Sequence, residues 1–156
     1  MAIASPGAHL RDEQQLMGSI LELMKQEQQL LVGADADGLA TLTPQKLKLA
    51  QQLAAVSRVR HNALGAAGFV AGEAGMEPWL AAGGNAEART QWNRLLDMTR
   101  DAKELNRVNG MLINKQMAHT TGVLNAIRGN GAGAQGVYGA SGQTLAAGPS
   151  RRFVVG

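Results

Sequence analysis

The chain has 156 residues, 45% hydrophobic but only 3% aromatic, which is material for one domain with a core of mostly Ala, Leu and Met. Those residues favour helices, whereas strands favour β-branched and aromatic side chains, so the expected fold class is all-α. The lack of cysteine excludes disulfides, thiolate metal sites and a cysteine nucleophile, and fits a reducing compartment.

The net charge of +3 is unevenly spread: residues 1–40 carry two cations against six anions, residues 41–66 carry Lys46, Lys48, Arg58 and Arg60 with no acid, and residues 91–128 carry six cations against three anions. A basic second helix beside an acidic first one predicts charge pairing between neighbours. The cations are interspersed and the aromatics few, which argues against a nucleic-acid footprint. Met1 to Leu10 lack the apolar run of a signal peptide, and no stretch approaches the roughly 20 apolar residues of a membrane span. A cytoplasmic location without membrane insertion is therefore expected.

From residue 9 to about 33 the apolar positions repeat by seven: Leu10, Met17, Met24 and Leu31 form one row, Leu16, Leu23 and Leu30 the row beside it, with Ile20 and Leu21 between. Residues seven apart share a helical face, so this is a broad stripe that seeks a partner helix. The carboxylates between them read as a solvated outer face. Gly33 to Gly38 holds two glycines and two aspartates, a turn or helix break. Thr43 as cap and Pro44 at the first helical position then predict a second helix over 43–65, with Leu49, Leu53 and Val56 on one stripe, Leu47, Ala50 and Ala54 beside it, and Gly65 and Gly68 as the stop.

Residues 65–90 are glycine-rich and irregular, with a short turn at Met76 to Leu80 and Trp79 docking the loop onto the helices. Asn85 is a good cap for a third helix over about 86–127, free of proline. So long a helix implies an elongated antiparallel bundle or coiled coil, covered in part by the first two helices. The division expected is a helical domain at 1–128 and a tail at 129–156 whose eight glycines leave it too little apolar surface to order alone.

Few motifs point to chemistry. The spacing of Trp92, Leu95 and Ile113 places Asn106 and Asn109 on the seam of the long helix, either as a register device or as a polar notch shaped for a partner. Met98, Met111 and Met117 read as core or as an adaptable binding surface. Gly131 to Gly136 matches the dinucleotide fingerprint in spacing only, since a helix rather than a strand precedes it. His9, His61 and His119 read as isolated, without a metal pair, and no serine forms a nucleophile set. Neither an enzyme nor a cofactor is expected.

The ordered set of segments resembles the FlgN family over nearly the whole chain. It comprises Lys25-Gln26-Glu27-Gln28-Gln29-Leu30-Leu31, Leu42 to Leu49, Trp92 followed by Leu105-Asn106, Asn109-Gly110 and Ile113, and Val137 to Gln143. Gly65 to Gly84 departs from the family pattern by being longer and looser. The resemblance implies a flagellar type III export chaperone. Such a protein binds hook–filament junction subunits in the cytoplasm, keeps them unassembled, and delivers them to the membrane export gate and its ATPase components. The expected client surface comprises Asn106, Asn109, Leu112, Ile113, Met117, Val123, Leu124 and Ile127, with the tail closing over a bound amphipathic helix. Tyr138 is expected either to dock at the export gate, as the family's tail tyrosine suggests, or to pack on the bundle. The alternative is a self-associating structural coiled-coil adaptor without a secretion client, and the sequence leaves monomer or homodimer open for the free protein.

Overall fold

A computed structural model describes residues 4–134, with side chains to residue 129. Four helices occur in the order α1 (Leu10–Val32), α2 (Ala36–Ala66), α3 (Met76–Gly83) and α4 (Ala86–Ala134), with a 3-10 turn at Glu73–Gly75 before α3. No strand occurs among the described residues, and the fold is all-α. The chain divides into two compact units between Ile113 and Asn114.

In the first unit α1 buries Leu10, Glu13, Met17, Ile20, Met24, Glu27 and Leu31, alternating steps of three and four along one seam. The helix ends where the amide of Asp35 donates to Leu30 O at 2.9 Å and that of Ala34 to Leu31 O at 3.2 Å. This is the double bond of a Schellman motif, and it holds Ala34 at φ 54°, the left-handed position usually given to glycine. The residue that completes the stop also starts the next helix, because the Asp35 carboxylate accepts from Gly38 N at 2.9 Å.

That cap moves the start of α2 from the expected Thr43–Pro44 to Ala36. Thr43 is not a cap: its hydroxyl donates back to Leu39 O at 2.8 Å, and Pro44 stands inside the helix. Pro44 removes one backbone bond, but the extra turns bury Leu42 and half-bury Leu39. Leu49, Leu53 and Val56 face inward as expected, whereas Leu47, Ala50 and Ala54 are exposed. At the other end Gly68, at φ +89°, lets Phe69 N donate to Leu64 O and Gly68 N to Gly65 O, a second Schellman stop.

The segment expected to be a loose loop is a built connection. Gly75 is required there, because a Cβ would come within 2.1 Å of Val70 O. Met76 and Leu80 of α3 are buried, and Phe69 and Trp79 pack on the same core. That core joins Leu10 and Met17 of α1, Leu64 of α2, and Ala88, Trp92 and Leu95 of α4.

Polar contacts give the helix directions. Glu13 meets Ser57 and Arg60 while Glu27 meets Lys46, so α1 and α2 are antiparallel. Gln14 reaches Gln91 O and Glu27 reaches Asn109, so α4 runs parallel to α1 here. Asn85 caps α4 as expected, accepting from Ala88 N at 2.7 Å. The helix continues to Ala134, seven residues past the predicted end, so the first residues assigned to the tail are helical; residues 135–156 lie outside the described residues.

Candidate partner-binding surface

Charge pairing between the acidic first helix and the basic second one is present, and it is buried. Glu13 and Glu27, expected on a solvated face, lie on the α1 seam. They stand two heptads apart, as do Lys46 and Arg60 on α2, so antiparallel packing brings the pairs together in two layers.

In the first layer Arg60 donates through Nε to Glu13 Oε2 at 2.8 Å and through Nη2 to Glu13 Oε1 at 3.1 Å, while Ser57 donates to the same carboxylate at 2.8 Å. The guanidinium also bonds Glu73 and lies 4.7 Å from the centroid of the Trp92 ring. Burial works against the Arg60 charge, but the bonds and charges of Glu13 and Glu73 outweigh it and hold the pKa above its usual value. In the second layer Lys46 donates to Glu27 at 2.7 Å, and Asn109 Nδ2 donates to Glu27 Oε1 at 2.8 Å and to Met24 O at 2.9 Å. The buried Asn109 Oδ1 has no donor among the described residues. Any slip of register between the helices would strand these acids and bases unpaired.

The expected client residues separate. Asn109 is buried in the second layer, but Asn106 is exposed, so the two asparagines do not share the seam. The two heptad rows divide: positions 95, 102, 109 and 116 stay on the less exposed side, with 105 and 112 beside them, whereas the row of Trp92 and Thr99 turns outward at Asn106 and Ile113. Leu112 is half-buried and Ile113 is 40% exposed. In the second unit Met117, Val123, Leu124 and Ile127 are 63, 45, 51 and 63% exposed. They share one side of the helix by spacing and leave an exposed apolar stripe there. Tyr138 lies outside the described residues.

Of the methionines, Met98 packs on the core, whereas Met111 is exposed with its sulfur accepting from Arg107 Nη1 at 3.1 Å. The histidines are less isolated than expected: His9 meets Asp12 at 3.1 Å and His61 meets Glu73 at 3.2 Å. No group of three potential metal ligands occurs among the described residues. The buried acids had a signal in the sequence, because the row Leu10, Met17, Met24 and Leu31 puts positions 13, 20 and 27 on the same seam. No comparable signal identified Glu73, which reaches Arg60 only through the 3-10 turn.

A core tied by polar layers and an uncovered apolar stripe on the last helix define an all-α protein. The chain belongs to the FlgN family, whose model, described as FlgN protein, matches residues 1–146. This is a family of flagellar export chaperones that bind hook-associated proteins, and in that general sense the chain is a flagellar export chaperone. No curated protein and no solved structure matches the chain. No described helix is long and apolar enough to cross a membrane.

Proposed function

We propose that the protein acts in the cytoplasm as the export chaperone of hook–filament junction subunits. It binds their C-terminal helical segments, prevents premature assembly, and delivers them to the flagellar type III export gate and its ATPase components. The observation that carries this reading is the run of exposed apolar side chains on α4: Ile113, Met117, Val123, Leu124 and Ile127. A junction subunit's terminal segment is an amphipathic helix that would otherwise self-assemble, and a helix laid along these side chains would be masked. Asn106 and Leu112 belong to the same proposed contact, whereas Asn109 acts through register and not through touch.

The reading takes residues 1–128 as the helical domain and 129–156 as the client- and gate-binding tail. Deleting the tail should weaken client binding, and Tyr138→Ala should reduce secretion of junction subunits while leaving client affinity intact. The direct test is calorimetric titration of the full chain with the C-terminal segment of a junction subunit. Saturable one-to-one binding at micromolar affinity or better is expected. Absence of binding by a folded, helical protein, together with a mass that grows with concentration, would transfer the stripe to a self-associating adaptor.

A further inference from the structure

We infer that the stripe on the distal half of α4 is built for an amphipathic helix with acidic flanks, in preference to a basic helix or a second copy of this chain. The inference rests on the client-binding reading and adds the partner's chemistry to it.

The apolar half of the contact is Met117, Val123, Leu124 and Ile127, which at about 100° per residue fall within about 120° of helix surface. Charge distinguishes the occupants that could cover it. All twelve carboxylates of the chain lie at or before Glu104, and beyond it come only Arg107, Lys115, Arg128, Arg151 and Arg152. Arg107 is engaged by Glu104 through bonds of 3.0 and 2.6 Å. Lys115 and Arg128 are exposed and make no ion pair among the described residues. Arg128 follows Leu124 by one helical turn and borders the stripe. Lys115 stands on the opposite side of a helix about 10 Å across, comparable with the Debye length of about 8 Å at physiological salt.

A second copy laid on this stripe through the same segment would bring its own Lys115 and Arg128 alongside, with no carboxylate beyond Glu104 on either helix to meet them. A basic amphipathic peptide would be repelled in the same way. A helix carrying Asp and Glu beside its apolar row would meet cations at the flank and be drawn in from a distance. Polar flanks of one sign select among partners that an apolar stripe alone would accept equally.

The test uses the full chain and two synthetic amphipathic peptides with the same Leu and Ile row, one flanked by Glu and one by Lys. Both are titrated by fluorescence anisotropy at low and high salt, beside the C-terminal segment of a junction subunit. The Glu-flanked peptide should bind at least about tenfold tighter at low salt, with the advantage shrinking as salt rises. Lys115→Glu combined with Arg128→Glu, confirmed helical by circular dichroism, should reverse the order. Equal affinities, an order unchanged by the double charge reversal, no binding of either peptide, or a chain that dimerises through the stripe would each overturn the inference. Binding of the junction segment with no charge preference between the designed peptides would leave the chaperone reading standing and remove only the acidic flank. A clear Glu preference without binding of the junction segment would do the reverse.

Discussion

Ala34 is held at φ 54°, where a Cβ crowds the backbone and glycine carries no penalty. The Schellman bonds of Ala34 and Asp35, together with the Asp35 cap, over-determine the turn and keep the residue there. Ala34→Gly should therefore stabilise the protein by roughly 1 kcal/mol, read as a higher urea midpoint at unchanged slope. A lower midpoint would mean that the added freedom of the unfolded chain outweighs the relieved strain. Arg60 poses the opposite case, since its two buried bonds to Glu13 compensate a charge that water no longer solvates. Arg60→Met alone strands the Glu13 carboxylate and should cost about 3 to 5 kcal/mol, whereas adding Glu13→Leu should recover most of that loss. If the double variant were no more stable than the single one, the loss would lie in packing against Trp92 and not in the stranded charge.

At the scale of elements, what sequence patterns reveal depends on how local the cause is. The α1 stripe, the Asn85 cap and the inward row Leu49, Leu53 and Val56 were legible because each rests on spacing or on a bond within one turn. The start of α2 was not, because Thr43–Pro44 is a strong local signal that the Asp35 cap and the burial of Leu42 override. The Asn106 side of α4 differs from expectation because spacing puts 106 in the row of Trp92 and 109 in the row of Leu95, and only the second row meets α1, at Met24 and Glu27. That distal half carries Gly110, Gly122 and Gly129, each with open space where a Cβ would stand. Nothing steric requires glycine there, and each costs up to about 1 kcal/mol of helix stability relative to Ala. Gly122→Ala should raise helical ellipticity and, if the client selects the ordered helix, tighten client binding up to about fivefold. Higher helicity with unchanged affinity would show that binding does not draw on helix order in this segment.

At the scale of the whole molecule, Glu73 couples the connection before α3 to the core. Burial alone would raise its pKa, but the hydrogen bond and charge of Arg60, aided by His61, draw it below the usual value. A lowered native pKa gives stability that is complete above the unfolded value of about 4.3 and is lost as pH falls through the lower native one. Glu73 remains 64% exposed, so solvent screening keeps its contribution at roughly 1 kcal/mol or less. Glu73→Gln should be slightly less stable than the parent at pH 7, with the gap closing towards pH 3, as measured by urea midpoints at both values. An equal gap at the two values would assign the effect to shape and not to charge.

The sequence by itself determined the all-α class, the seam of the first helix and the charge complementarity of the first two helices. It also determined the family, because these features are written in short-range spacing and in ordered segments. Tertiary structure alone decided which charges are buried, that the glycine-rich stretch after α2 is a helical connection supplying Met76 and Leu80 to the core, and that Asn109 faces inward while Asn106 does not. Those outcomes turn on which surfaces meet across residues far apart in the chain. Whether a Glu on a seam is solvated or paired depends on the residue opposite it, and local spacing carries no information about that residue.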